Sequence, residues 1–129
     1  MAAVARADVA RTAVTVLNDV TAHRNLTYDL TGPEALTMTE VAAILSTAGT
    51  ALSGTAPSGT APSGTVRYHD ETLPEAYESR RPWGAPDWQV DAWVSTYTAI
   101  AAGEMAEVST AVETITGVKP ISLAQLLAG

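Results

Sequence analysis

The sequence predicts an α+β fold, mostly helical, with about five helices and two or three short strands. Three observations carry that expectation. Apolar residues recur at helical spacing in several stretches, three of which open on a capping box. Two short runs, 26–31 (LTYDLT) and 66–69 (VRYH), have the composition of strands. A glycine- and proline-punctuated segment, 49–65, divides the chain between them.

In chain order, Val9, Ala13, Val16, Leu17 and Val20 sit at i, i+4, i+7, i+8 and i+11. That is the apolar stripe of a first helix, with Asp8 placed to cap it and to favour the positive end of its dipole. The strand over 26–31 stops at Gly32-Pro33. Thr37-Met38-Thr39-Glu40 has the form T-x-x-E and opens a second helix, with Val41, Ile44 and Leu45 inward. After the divide come the strand over 66–69 and a helical turn at 74–77. An irregular loop over 80–86 (RRPWGAP) leads into the most regular helix, capped by Asp87. Its stripe is Val90, Trp93, Val94, Tyr97, Ile100 and Ala101, and Gly103 can end it. Thr110 and Glu113 form a second box, opening a helix with Val112 and Ile115 inward, closed by Gly117 and Pro120. Ser122 and Gln125 form a third, before Leu126 and Leu127.

The organisation is therefore a helix–strand–helix first half over 1–48, a linker over 49–65 and a strand-plus-helices second half over 66–129. The linker repeats Ser-Gly-Thr-Ala-Pro at 53–57 and 58–62 and carries no charge, the composition of a flexible spacer. Its glycines fall at 49, 54, 59 and 64. That spacing fits neither G-x-G-x-x-G nor G-x-x-x-x-G-K-[ST], so it is not a phosphate-cradling loop.

Composition narrows the function classes. Among 129 residues, alanine supplies 24 and threonine 18, Leu, Ile and Val together 26, and Phe none. A core built from alanine gains little per residue, since each buried methylene contributes about 0.8 kcal/mol. A net charge of −7 offers no attraction to nucleic acid or anionic lipid, so neither is an expected partner. The absence of cysteine excludes disulfides, thiolate nucleophiles and zinc–thiolate sites. No apolar run approaches the roughly 20 residues that cross a bilayer, and residues 1–6 lack the apolar region of a secretory signal. A cytoplasmic location is expected.

His69-Asp70-Glu71 is the densest cluster of possible ligands, but neighbours on an extended segment point alternately and do not converge on one ion. No metal site is expected. No serine stands in a G-x-S-x-G elbow. Tyr97 is followed four residues on by Ala101, and the only lysine is Lys119, so a Y-x-x-x-K proton-transfer pair is absent. The aromatics are more informative: Tyr77, Trp83, Trp88, Trp93 and Tyr97 crowd into one stretch. Trp93 and Tyr97, one turn apart, either pack a core or join Trp83 and Trp88 in walling a flat apolar site. Arg80 and Arg81 beside them are either a solvated pair or a hold for an anion.

Several segments together resemble a known family. They are Asp8-Val9-Ala10-Arg11, the run 27–37 (TYDLTGPEALT), Glu40-Val41-Ala42, Val66-Arg67-Tyr68 and 84–88 (GAPDW). The run 97–104 (YTAIAAGE) and the closing Thr116-Gly117 with Ser122-Leu123 extend the match to nearly everything outside the linker. They resemble the C-terminal part of NmrA-like NAD(P)-binding proteins, atypical short-chain dehydrogenase/reductases that include NAD(P)H:quinone oxidoreductases. The resemblance implies the substrate lobe of an α/β Rossmann-type protein whose glycine-rich cofactor domain lies outside this sequence. It further implies hydride transfer from NAD(P)H to a quinone-type acceptor, with Trp83, Trp88, Trp93 and Tyr97 contacting that acceptor. No catalytic or cofactor-binding residue is expected in this chain, and no cofactor is held by it alone. The expected partners are a flat acceptor and either a Rossmann-domain chain or a second copy. The alternatives are a non-catalytic redox-sensing or interaction module, and a silent truncated fragment.

Overall fold

The structure, a computed structural model, describes residues 1–52 and 65–128, with the backbone alone over 49–52. It contains α1 (Arg6–Asn18), α2 (Met38–Leu52), α3 (Leu73–Arg80), a 3-10 turn (Arg81–Trp83), α4 (Asp87–Ala101), α5 (Ala111–Thr116) and α6 (Leu123–Ala128). No strand occurs among the described residues, so the expected α+β lobe with two or three strands is corrected to a helical fold. α2 runs on to Leu52, four residues into the segment read as linker; the SGTAP repeats at 53–62 lie outside the described residues.

The reason for the missing strands is a missing neighbour. Residues 26–32 run without turn or bend, and burial alternates along them: Tyr28 and Leu30 are half-buried and Gly32 buried, while Thr27 and Asp29 are exposed. The period of two that predicts a strand holds over residues 27–30, while Leu26 is exposed and Thr31 half-buried. A strand also needs a second backbone beside it. Here hydroxyls stand where that backbone would be. Thr31 Oγ1 accepts the Ser109 N–H at 2.9 Å and lies 3.3 Å from the Ser109 carbonyl oxygen. Ser46 Oγ, on α2, accepts the Val66 N–H at 2.8 Å and lies 3.1 Å from the Val66 carbonyl oxygen. A side chain between two backbones satisfies one residue and holds the rest of the segments apart.

The helices associate in pairs: α1 with α5, α2 with α6, and α3 with α4 and the 3-10 turn. Two of the three expected boxes form. Thr37 N–H donates to Glu40 Oε2 at 2.7 Å and Thr37 Oγ1 accepts the Glu40 N–H at 3.2 Å; Ser122 and Gln125 exchange the same bonds at 2.9 and 3.2 Å. At α5 the expected Thr110 cap is replaced by Ser109, whose Oγ accepts the Ala111 N–H. α4 likewise starts without a side-chain cap from Asp87, which is its first helical residue after Pro86.

Asp8 is not a cap either. α1 begins after Ala5, and Asp8, its third residue, is fully buried. Asp8 Oδ1 accepts from Arg11 Nη2 at 2.6 Å, and Oδ2 accepts the Ile121 N–H at 2.7 Å. Thr12, one turn on, is buried too and donates to the Asp8 carbonyl. The polar Asp8–Thr12 face of α1 is therefore the one turned inward, where Val112 of α5 is completely buried. The predicted apolar stripe is displaced to the outside: Val9, Leu17 and Val20 are exposed, Leu17 to 72%. The buried apolar set is correspondingly small: Ala5, Ala42, Val94 and Val112.

Two substitutions test this packing. Asp8→Ala leaves the Ile121 N–H without its acceptor, whereas Arg11, partly exposed, keeps the Lys119 carbonyl; an unsatisfied amide of this kind costs about 1–3 kcal/mol. A thermal melt followed by circular dichroism is expected to fall by roughly 5–10 °C; an unchanged midpoint would show that the carboxylate does not hold α1. Gly32→Ala places a Cβ 2.3 Å from the Ala3 carbonyl oxygen. That overpacking is expected to cost about 1–3 kcal/mol in chemical denaturation.

Candidate aromatic site on α3 and α4

The aromatic residues are positioned by a helix–turn–helix unit. α3 opens on Thr72, whose N–H and hydroxyl both donate to Glu75 Oε2, at 2.8 and 2.7 Å. This T-x-x-E pattern extends to a full helix what the sequence marks only as a turn at 74–77. Its end is set by Pro82, which has no N–H to continue the ladder. Gly84 then adopts a left-handed φ of 63°, which a side chain disfavours, and the chain turns so that α4 packs on α3.

This turn brings three of the four expected residues together. Trp83 and Trp93 meet edge to face, ring centroids 5.3 Å apart at 71°. Together with Tyr97, Arg80 and Thr96 they line a shallow cavity of about 300 Å³. Trp93 is half-buried, whereas Trp83 and Tyr97 stay largely open to solvent. The core-packing role on this helix falls to Val94, buried between them in sequence. Trp88 stands apart: it is 71% exposed and does not line the cavity.

Arg80 takes a role the sequence does not reveal. Its guanidinium carbon lies 5.4 Å from the centre of the Tyr97 ring, a cation–π contact. Its Nη1 donates to Glu71 Oε2 at 2.9 Å, to the Ala76 carbonyl at 2.7 Å and to Ser79 Oγ at 3.0 Å. A nitrogen with three acceptors is committed to holding the wall, not to an incoming anion. Arg81 pairs with Glu78 at 3.0 Å in solvent. Nothing in the spacing of Glu71, Arg80 and Tyr97 signals the arrangement: the Glu71–Arg80 bond spans α3 from before its start to its end, and the Arg80–Tyr97 contact is made by the fold-back at Gly84.

The His69-Asp70-Glu71 run does diverge: Asp70 accepts the Tyr68 hydroxyl, while Glu71 turns to Arg80. The Arg80 bond, aided by the Ser79 hydroxyl, holds the Glu71 carboxyl below its ordinary range. The bond to Asp70 pushes the Tyr68 phenol up, and the bond to Asp91 does the same for Tyr77. Both phenols therefore keep their protons at neutral pH. A second cavity, of about 940 Å³, is lined by residues 1–3, 27–31, 104–105 and 107–111 and by none of the four expected residues. No helix among the described residues is long and apolar enough to cross a membrane.

Comparison of the chain with protein-family models, with curated proteins and with solved structures finds no match.

The Glu71–Arg80 bond makes the site sensitive to acid. Glu71 is held below the unfolded value of about 4.3, so its contribution is complete above that pH and is lost as pH falls through the lower folded value. Tryptophan emission is expected to stay flat from pH 7 to about 4.5 and to change below it, as Arg80 is released from the Tyr97 wall. Glu71→Gln is expected to remove that change; a titration identical to the parent would sink the assignment.

Proposed function

We propose that the chain is the substrate-binding part of an NmrA-like NAD(P)H-dependent oxidoreductase, taking a flat quinone-type acceptor on the Trp83–Trp93–Tyr97 wall and inactive by itself. The observation that carries the acceptor site is the edge-to-face Trp83–Trp93 pair opening onto a cavity with Tyr97 braced by Arg80. Two rings at a steep angle leave one face and one edge free. A planar conjugated ligand stacks on the face and meets the edge, the two favourable geometries for aromatic rings. A cavity of about 300 Å³ is at the small end of the range for organic ligands, which suits a single or fused ring pair. The resemblance of residues 27–37, 84–88 and 97–104 supports the oxidoreductase part of the reading. In that reaction the cofactor supplies the hydride, and this chain's residues orient the acceptor and exclude water from one of its faces.

Calorimetric titration with 2-methyl-1,4-naphthoquinone is the test. Saturable binding is expected, weakened about tenfold in Trp83→Ala by loss of one ring contact. Trp88→Ala is expected to bind like the parent. Equal affinity in Trp83→Ala and the parent would refute the site. Titration with NADPH is expected to give no saturable heat, and micromolar binding would overturn the proposal that cofactor is held elsewhere.

A further inference from the structure

A cavity of about 940 Å³ is a groove lined by residues 1–3, 27–31, 104–105 and 107–111, with 27–31 and 107–109 running straight along it before α5 begins. Its chemistry differs from that of the aromatic site. Backbone groups of Thr27, Tyr28, Asp29 and Leu30 form no hydrogen bond among the described residues, and neither do those of Glu107 and Val108. The two segments are pinned at one end, where the Thr31 hydroxyl occupies the Ser109 N–H. From that pin outward they present unpaired amides and carbonyls, which are a template for a further chain.

The lining is predominantly acidic. Asp29, Glu104 and Glu107 contribute carboxylates, all three exposed and none paired among the described residues, no Lys, Arg or His side chain lines the groove, and the one cation at its edge, the Met1 ammonium, is bonded to the Leu36 carbonyl. Tyr28 and Leu30 alternate with Thr27 and Asp29 in burial, so an added strand finds apolar side chains on one face and a carboxylate on the other.

We propose that this groove binds an extended peptide segment of a partner protein, with basic and apolar side chains alternating, which adds as a β-strand along residues 27–30 and 107–108. Main-chain bonds to the unpaired amides and carbonyls supply the affinity. Lysine or arginine at every second position, facing Asp29 and Glu107, supplies the selection. The same period of two that leaves residues 26–31 short of a strand in the isolated chain becomes a strand once a neighbour is present.

The test uses the full chain and a synthetic peptide of about seven residues alternating Lys and Val, enough to run the length of a short strand. Hydrogen exchange read by NMR is expected to show protection in the segments 27–30 and 107–108 on peptide addition. A peptide alternating Glu and Val is expected to give none, and a Lys/Val peptide with a central proline to bind much more weakly, because it lacks a ladder donor. The double variant Asp29→Lys with Glu107→Lys, both at exposed positions, is expected to keep the parent's circular dichroism and to weaken binding by about tenfold or more. Equal binding of the acidic and basic peptides, or binding without protection of those segments, would overturn the proposal. So would protection of the same amides that grows with protein concentration in the absence of peptide, which would assign the groove to a second copy of the chain.

Discussion

The fold depends on one buried carboxylate. Asp8 lies near the start of the chain and Ile121 near its end, yet Asp8 Oδ2 accepts the Ile121 N–H, while Oδ1 is paired with Arg11. A buried charge is tolerated only when it is paired and its oxygens are occupied. The carboxylate meets that demand by fixing the α1 face, the Arg11 side chain and the strand of backbone before α6 at once. Arg11 Nη2 extends the link to the Lys119 carbonyl at 3.3 Å. With four apolar residues buried among the described residues, this polar tie does the organising that a larger hydrophobic core performs elsewhere. It also explains why Val9 and Leu17 face outward: the direction of Asp8 dictates the rotation of α1, and the apolar stripe lies beside that direction rather than along it.

A second constraint is the recurring use of hydroxyls where a sheet would use backbone. Threonine is abundant in this chain, and at Thr31 and Ser46 a hydroxyl occupies the amide of a straight segment. Each satisfies a partly buried amide from a residue distant in the chain. Each also keeps two chains a side chain apart, so that no ladder propagates. The groove between 27–31 and 107–111 follows from this spacing. The aromatic wall follows instead from Gly84, whose left-handed turn folds α4 back on α3. The two surfaces therefore have different origins and different chemistry: one offers rings braced by a guanidinium, the other unpaired backbone flanked by carboxylates.

Much of this was legible in the residues. The helices beginning at Met38, Asp87, Ala111 and Leu123 are marked by apolar spacing, and two of them by boxes that close within one turn, Thr37–Glu40 and Ser122–Gln125; at α5 the Thr110–Glu113 box does not form and Ser109 caps instead. The pairing of Trp93 with Trp83 is half-legible, since their helix and loop are readable but their approach depends on the turn between them. Trp88 misleads because proximity in sequence to the same loop does not decide which way the first turn of α4 points. The Arg80–Glu71 and Arg80–Tyr97 contacts leave no trace in spacing.

What the sequence by itself determined is the approximate position of most helices, and that the chain is acidic and poor in large apolar residues. These follow from bonds made within a few residues and from composition. Only the tertiary structure decided which face of α1 is buried, whether 26–31 acquires a neighbouring backbone, and which aromatics share a cavity. Those outcomes rest on contacts between distant residues, such as Asp8 with Ile121 and Thr31 with Ser109. A side chain's partner across the fold has no periodicity to announce it, so burial of a polar residue can override an apolar stripe that reads correctly as a helix and wrongly as its inner face.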